Sequence, residues 1–427
     1  MKEDFLHYLW KYRKFDTTNL CTSSGEDIVI YSVGEHNDGA GPDFFNAKLL
    51  IGDQLWAGNV EIHLKSSHWY THHHEKDVRY NNVILHVVWE HDIEIFRTDE
   101  TTIPTLELKF FADISFHAAY TSFIQKKRSF VICENELEAV DEFLIALWKD
   151  RLFIERLEQK TTFLLKELND CQNDWEMVLF KMLFKNFGLK ANGENFYQIS
   201  KSIDFQVVRK IRNDVEALES LLFGCAGLLE GGDESEYYRE MLKRHFRYLK
   251  SKFTSIQISP FKPVFFRLRP ANFPTIRLSQ IAQLYHQHGA LFMALMEANS
   301  VEEIYKIFNV GVSEYWRNHY TWGKKSVSNK KRLTKNFIDL LIINTIIPLK
   351  FCYEKKLGYD DQTNIISLIS SIAPERNSII EKFRKLGIPC KSAMESQSLL
   401  QLYNVYCQPK KCLDCAIGNQ LLVKSNP

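Results

Sequence analysis

The sequence lacks an excess of charge of either sign. Its 54 Lys and Arg residues nearly balance its 53 Asp and Glu residues, which leaves a formal charge of +1 over 427 residues. This balance favours no class of charged partner, and because a neutral total can conceal a basic groove, only local charge is informative. Internal repeats and low-complexity tracts are absent, and 30 Phe, 18 Tyr and 8 Trp residues argue against extensive disorder.

A secretory signal and a membrane-spanning run are missing as well. Residues 1–7 carry three charged side chains and so contain no uncharged hydrophobic segment of the kind that a signal peptide needs. The most hydrophobic stretch, 337–353, is short and is interrupted by Asp339 and Lys350, so we expect a buried helix there. These absences predict a cytoplasmic protein that is not inserted in a membrane.

The hydrophobic pattern divides the chain into two parts. Residues 1–135 predict an α/β domain with a short helix, three meandering strands, a crossover and a further strand. From about residue 138 apolar residues recur at helical spacing, so residues 136–427 predict a mainly α-helical domain. The main predicted strands lie at 27–33, 44–51, 55–65 and 83–89.

Two carboxylates stand on neighbouring predicted strands. Asp43 follows Pro42 at the start of the second strand, and Glu61 lies inside the third. A tight turn joins these strands, so the two side chains can converge on one hard cation such as Mg²⁺ or Mn²⁺. Such an ion polarises a scissile phosphate and lowers the pKa of the attacking water. The pair therefore predicts a metal site for phosphodiester hydrolysis.

Further candidate catalytic groups accompany this pair. Because side chains alternate along a strand, His63 and Lys65 point to the same face as Glu61. Either base could orient the water or stabilise charge on the phosphate, and Glu35, just before the glycine-containing loop, could add a third carboxylate. The alternative is purely structural, with Glu61 in an ion pair with Lys65 or Arg79.

The segment around these residues resembles the PD-(D/E)XK nuclease superfamily, whose motif is Pro-Asp, a gap, then Asp or Glu, any residue and Lys. Pro42 and Asp43 match the first part, and Glu61 matches the second acidic position. The resemblance implies a restriction-endonuclease-like αβββαβ core with a divalent cation at Asp43 and Glu61. His63 occupies the lysine position, so activity requires His63 or Lys65 to take the role of that lysine. If neither does, the fold is kept without the activity.

Half of the 14 histidines crowd between His63 and His91. One interpretation is a Zn²⁺ or Mn²⁺ site with His63 or His86 as a ligand, in a metallohydrolase that acts on a small substrate. The interpretation we favour for the run 72–74 is a set of exposed loop residues, with His86 a core histidine that makes one hydrogen bond.

Four of the nine cysteines cluster near the C-terminus, whereas the other five are scattered and are expected to be reduced core residues. Four thiolates this close together fit tetrahedral Zn²⁺ or a [4Fe–4S] cluster, and the spacing does not decide between them. The predicted ligands are Cys390, Cys407, Cys412 and Cys415. Some PD-(D/E)XK nucleases carry iron–sulfur clusters, so the resemblance is compatible with either metal.

Three basic groups in the helical part predict nucleic-acid contacts, because Lys and Arg bind phosphates and interleaved aromatic rings stack on bases. The alternative for any single group is a solvated helix face or loop. The predicted contacts are Lys243, Arg244, Arg247, Arg267, Arg269, Lys324, Lys325, Lys330, Lys331 and Arg332.

Nearly the whole chain also resembles an uncharacterised bacterial family that is known only as a domain of unknown function. The residues 41–44, 58–63, 82–88, 269–274 and 412–418 carry this resemblance, which implies one architectural unit and no activity. Together these patterns predict a metal-dependent nuclease of DNA or RNA. The alternatives are a nucleic-acid-binding adaptor that keeps the fold, and the histidine-rich metallohydrolase described above.

Overall fold

A six-stranded mixed sheet forms the centre of the N-terminal part of the protein. The structure is a computed structural model that describes residues 2–37, 39–126, 129–231, 236–359 and 361–424. The chain divides into two compact units, one made of Met1–Trp148 and Leu402–Pro427 and the other of Lys149–Gln401. The mixed sheet and the mostly helical second half agree with the predicted fold class at this level.

The sheet combines an antiparallel half with a parallel half. Strand order is β1-β3-β4-β5-β6, with β2 paired to β3; β1, β3 and β4 are antiparallel, whereas β4, β5 and β6 are parallel. The strands are β1 (Ile28–Ser32), β2 (Glu35–His36), β3 (Phe44–Ile51), β4 (Gln54–Lys65), β5 (Val83–Glu90) and β6 (Thr105–Glu107).

The connections follow from local sequence. Gly52, at a positive φ of 58°, turns β3 into β4, and glycine adopts that conformation without a steric penalty. A parallel neighbour requires a longer crossover, which α2 (His68–Thr71) and two short 3₁₀ turns provide between β4 and β5. Six consecutive residues of β5 are buried, as its apolar continuity predicts.

Helices cover this sheet. In α1 (Glu3–Tyr12), Phe5, Leu6, Leu9 and Trp10 are buried at helical spacing. Further along the first unit lie α3 (Ile114–Gln125) and the start of α4 (Glu142–Asp170), the helix that contains the boundary between the units.

The second unit is helical apart from one small hairpin, β7 (His319–Thr321) and β8 (Lys324–Lys325). Its helices after α4 are α5 (Trp175–Phe187), α6 (Leu189–Lys201), α7 (Phe205–Ile211), α8 (Val215–Cys225), α9 (Tyr237–Lys252), α10 (Pro274–Gln287), α11 (Leu291–Glu297), α12 (Val301–Ile307), α13 (Glu314–Arg317), α14 (Lys335–Lys356), α15 (Thr363–Ser370), α16 (Ser378–Lys385) and α17 (Ala393–Gln401).

Within the described residues, α14 is the one helix long and apolar enough to cross a membrane, and 72% of its most apolar window is buried inside the protein. That burial is typical of a core helix, as the sequence predicts. A π-helical turn, Ile342–Ile346, interrupts it.

The C-terminal segment returns to the first unit, which differs from the predicted division at residue 135. The segment begins with a π-helical turn, Leu402–Cys407, and ends in α18 (Ala416–Lys424). The backbone N–H of Asp141 donates to Gln420 over 3.2 Å, and Lys11 of α1 lies 3.8 Å from Asp414. These long-range contacts cannot be read from local periodicity.

Candidate functional site

Two hydrogen bonds connect Asp43 to Glu61 and to the next residue of β4. The backbone N–H of Asp43 donates to Oε2 of Glu61 over 3.1 Å, and the N–H of Ile62 donates to Oδ2 of Asp43 over 2.9 Å. The register of β3 against β4, which pairs Phe44 with Val60, positions both residues. The structure therefore brings together the two carboxylates that the sequence singled out.

Glu61 is buried, with only 4% of its surface exposed. Burial, and then the negative charge of Asp43, raises the pKa of Glu61 to about 9. Lys65 and Arg79, its predicted basic partners, pair instead with Glu90 at 3.5 Å and with Asp77. The basic side chains nearest to Glu61 are consequently histidines, not lysine or arginine.

Three imidazoles converge on one point beside Glu61. Oε1 of Glu61 lies 3.3 Å from Nε2 of His74 and 3.6 Å from Nε2 of His63, and the latter nitrogen lies 3.0 Å from Nδ1 of His72. One ring nitrogen from each of the three histidines lies within 4.8 Å of the others, a grouping that no other three His, Cys, Asp or Glu residues achieve in the described part of the chain.

The backbone explains how neighbouring histidines meet. Alternation along β4 places His63 on the same face as Glu61. His73 has a positive φ of 60°, which is uncommon for a residue with a side chain, and its own ring is exposed. The chain reverses there, and His72 and His74 on either side of it reach the cluster. The aromatic ring of Tyr80 stacks on His74 with centroids 3.8 Å apart.

His86 supports this group from the neighbouring strand. Its Nε2 lies 2.8 Å from Nδ1 of His63, and the residue is fully buried. Burial, followed by the charge of His74, lowers the pKa of His86 to about 3, so the ring is neutral. Either ring can donate in this hydrogen bond; in the tautomer in which His63 donates from Nδ1, its Nε2 carries a lone pair toward His72 and Glu61.

The donor set fits a divalent cation. Nε2 of His74 is buried and, although it lies 3.3 Å from Glu61, makes no hydrogen bond of acceptable geometry. Imidazole nitrogens with one carboxylate suit Zn²⁺, Mn²⁺ or Fe²⁺ better than Mg²⁺, which prefers oxygen ligands. Glu61, His63, His72 and His74 could hold such an ion, with the imidazole of His86 orienting His63.

A cavity of about 400 Å³ opens beside Asp43. Nε2 of His7 lies 3.3 Å from Oδ2 of Asp43, and although burial opposes its charged form, the Asp43 carboxylate raises the pKa of His7. Three lysines line the same cavity, Lys11, Lys410 and Lys411, together with two further aspartates, Asp4 and Asp414, and Lys11 lies 3.8 Å from Asp414. The cavity therefore brings lysine ammonium groups as well as carboxylates to Asp43.

Other predicted residues lie outside this group. The Lys65 side chain is half exposed and points to Glu90, while Glu35 is exposed in β2. Of the predicted cysteine ligands, Cys390 belongs to the second unit, whereas Cys407, Cys412 and Cys415 belong to the first.

The predicted nucleic-acid contacts all belong to the second unit. Most are exposed, and exposed aromatic rings accompany them, with Arg267 lying over Phe266 at 5.0 Å. Lys331 differs: it is buried, and its ammonium donates to the carbonyls of Trp316 and His319 over 2.5 and 2.6 Å. Burial lowers the pKa of Lys331 to about 8. Its ammonium therefore stabilises the core by binding two backbone carbonyls and is not available to contact nucleic acid.

Sequence reasoning missed His7 and underrated two members of the triplet. His72 and His73 are exposed as expected, but His74 is 9% exposed, and the rings of His72 and His74 belong to the cluster. The His-x-His spacing of His72 and His74 could have indicated that both belong to one site, because a chain reversal at the middle residue brings both rings to one side.

Comparison with known families supports the wider resemblance seen in the sequence. The profile of one family, a protein of unknown function named DUF2851, matches residues 3–378. The chain belongs to this family. No curated protein and no solved structure matches it. The match includes every residue of the histidine cluster and ends before Cys390.

Proposed function

We propose that the protein is a metal-dependent hydrolase that cleaves phosphodiester bonds in nucleic acid. The observation that carries this proposal is the convergence of Glu61, His63, His72 and His74 beside Asp43. A divalent cation held there would supply Lewis acidity and lower the pKa of a bound water.

The order of elements supports the phosphodiester substrate. A helix, an antiparallel meander, a crossover and a parallel strand follow one another, with Asp43 immediately before β3 and Glu61 on the adjacent β4. This is the order expected for the PD-(D/E)XK nucleases that the motif resembles. In those enzymes a lysine follows the second acid, and His63 stands in that position here.

The cavity beside Asp43 supports an anionic substrate. Lys11, Lys410 and Lys411 would bind phosphate oxygens there, and His7, whose pKa is raised by the Asp43 carboxylate, would in its protonated form stabilise negative charge on the phosphate. The exposed basic and aromatic residues of the second unit would add contacts to the nucleic acid. With this function we propose a cytoplasmic location, consistent with nine cysteines that form no disulfide.

The test compares metal binding and cleavage in the same preparations. Chelator-treated protein is titrated with Mn²⁺, Zn²⁺ or Mg²⁺ by calorimetry, and cleavage of labelled single- and double-stranded DNA and RNA is then followed. We expect Glu61→Gln and His74→Gln to abolish metal-dependent cleavage. His73→Asn is the matched control, because its ring is exposed and asparagine tolerates the left-handed backbone.

Two outcomes would overturn the proposal. If the wild-type protein binds none of these cations, the proposed metal centre does not exist. Metal and nucleic-acid binding without cleavage in any of the cations would identify the adaptor that keeps the fold.

A second candidate is a metallohydrolase of small substrates, favoured by the burial of the ligands. Glu61 and His63 are 4% and 2% exposed, and only His72 of the four is exposed to solvent. Hydrolysis of a small phosphodiester such as bis(p-nitrophenyl) phosphate, with DNA and RNA left intact, would decide for this candidate.

A further inference from the structure

A cavity of about 380 Å³ lies within the second unit, between helices α4, α5 and α14. That volume falls inside the range of roughly 300–1,000 Å³ that is typical of small-molecule sites. The described residues that line it include three basic side chains, an apolar wall and no carboxylate. The basic residues are Arg156, Lys160 and Lys185, and the apolar ones are Phe163, Leu164, Met182 and Pro348.

The spacing along α4 gathers unlike groups on one face of that helix. Arg156 and Lys160 are four positions apart and therefore neighbours, and Phe163 continues the same face. Lys185 of α5 extends over the ring of Phe163, with Nζ 4.7 Å from the ring centroid. Phe163 is 38% exposed, so its ring is accessible from solvent. The cavity thus combines cationic groups with an accessible aromatic surface.

Helix α14 lines the cavity where it departs from α-helical geometry. Asn344 lies in the π-helical turn Ile342–Ile346. Pro348, four residues later, has no N–H to donate to the carbonyl of Asn344, which is a local reason for the turn. Oδ1 of Asn344 accepts from Nζ of Lys160 over 3.5 Å. Such turns occur frequently at functional sites, and this one carries a neutral amide to the lysine.

The guanidinium of Arg156 is held in place by neutral groups. Its Nε and Nη1 donate to the side-chain oxygens of Gln397 and Gln401 over 2.7 and 3.4 Å. Among the described residues none accepts a hydrogen bond from Nη2. The planar fork of a guanidinium matches the geometry of a carboxylate or a phosphate. An oriented guanidinium with donors to spare is suited to bind such a group.

Lys160 is a cation without an anionic partner in the described part of the chain. Burial, and then the charge of Arg156, lowers the pKa of Lys160 to about 7, although the carboxylate of Glu375 acts in the opposite direction. Neighbouring cations that are removed from water are stabilised when an anion binds between them. A ligand with negative charge would therefore supply what the cavity lacks.

We propose that this cavity binds a small organic anion, a molecule with one carboxylate or phosphate group and an apolar body. Arg156, Lys160 and Lys185 would bind its oxygens, and the wall that includes Phe163 would contact its body. The apolar wall favours this ligand over the backbone of a nucleic acid, which is polar along its whole length. The site is independent of the proposed function, because it shares no residue with the histidine cluster or the cavity beside Asp43.

The test uses ligand-observed NMR with the full-length protein and three probes. Hydrocinnamate and phenyl phosphate combine a phenyl ring with a carboxylate and a phosphate, respectively, whereas hydrocinnamyl alcohol has the same body without charge. We expect at least one anion to bind roughly tenfold or more tightly than the alcohol, because charge-assisted hydrogen bonds are lost with the alcohol. The tighter of the two anions identifies the class of anionic group.

A matched pair of variants locates the binding. Lys160→Met should weaken binding of the anions roughly tenfold, because the methionine side chain keeps the apolar stem and removes the ammonium. Lys166→Met is the control, since Lys166 is an exposed lysine of the same helix that does not line the cavity. In wild type the affinity for hydrocinnamate should fall as pH rises above 7, where Lys160 loses its proton while Arg156 stays charged. Lys160→Met should show no such fall.

Because Lys160→Met could alter the packing, labelling of the wild type provides a second measurement. An amine-acylating reagent at neutral pH should modify Lys160, and a saturating anion should protect Lys160 but not Lys166, as read by peptide mass spectrometry. The proposal fails if neither anion binds, if the alcohol binds as tightly, or if a folded Lys160→Met binds the anions as wild type does. Protection of Lys160 by an oligonucleotide but by neither anion would assign the cavity to nucleic acid instead.

Discussion

Replacing Glu61 by glutamine should stabilise the metal-free protein at neutral pH. The folded protein keeps the Glu61 carboxyl protonated up to a pKa of about 9, whereas the unfolded chain releases that proton near 4.5. Below pH 4.5 both states are protonated and the carboxyl contributes nothing. As pH rises from 4.5 to 9, wild type progressively loses stability that the glutamine variant retains.

The size of the effect follows from the shift. In the unfolded chain the carboxyl has a pKa of 4.5, so pH 7 lies 2.5 pH units above it. Protonating the carboxyl in the folded protein at this pH therefore costs wild type about 3 kcal/mol of folding stability. Glutamine keeps the acceptor oxygen for the N–H of Asp43 and offers a donor to Nε2 of His74, so its packing cost is small. A cation present at 100 times its dissociation constant would stabilise folded wild type by about 2.7 kcal/mol. Metal should therefore cancel most of the advantage of the variant.

The assay is hydrogen exchange of the β4 and β5 amides, with wild type and variant compared in chelator at pH 5 and at pH 7. Glu90→Gln is the control, because that carboxylate lies on β5 with its side chain 47% exposed. The reasoning fails if Glu61→Gln exchanges as fast as wild type at pH 7, or if its advantage at pH 5 is as large as at pH 7.

Three further predictions concern the surroundings of this site. His86→Leu removes the hydrogen-bond partner of His63 and should weaken metal binding by roughly 10–100-fold in calorimetry, whereas His86→Gln should restore part of the affinity. Exchanging Lys410 and Lys411 for glutamine should weaken nucleic-acid binding and reduce its salt slope by about 1 for each phosphate that is no longer bound. Lys331→Met leaves two carbonyls unpaired and should destabilise the second unit by roughly 1–3 kcal/mol in denaturant unfolding, without changing nucleic-acid affinity.

Each of these has an outcome that contradicts it. Metal affinity unchanged in His86→Leu would show that the imidazole does not orient His63. Lys65→Gln is the control, because the Lys65 side chain points to Glu90. If its salt slope falls as much as that of the Lys410 and Lys411 variants, these two lysines act only through the net charge of the protein. If a folded Lys331→Met variant binds nucleic acid more weakly, Lys331 does contact the nucleic acid.

The strands around the site could be predicted because their pattern is local. Alternation, apolar runs and turn residues placed β3, β4 and β5 within one residue of their observed ends, and they placed Asp43 and Glu61 on adjacent strands. In the second unit, helical spacing predicted a mainly helical region but not where one helix ends and the next begins, as between α10 and α11 at His288 and Gly289.

The composition of the site could not be predicted, because it depends on distant segments. His7 comes from α1, the ring of His74 arrives through an unusual backbone angle at His73, and Lys410 comes from the opposite end of the chain.

Histidine in the lysine position changes what that position does. Burial, together with neighbouring His86, lowers the pKa of His63 far below its usual range, so its ring is neutral where a lysine would be charged. A neutral ring is a metal ligand and cannot neutralise a phosphate. Under the proposed function the positive charge must therefore come from elsewhere, and Lys11, Lys410 and Lys411 in the cavity beside Asp43 are the groups that can supply it. Under the same proposal, the departure from the motif at His63 would account for both a metal centre richer in nitrogen and the use of lysines from outside the sheet.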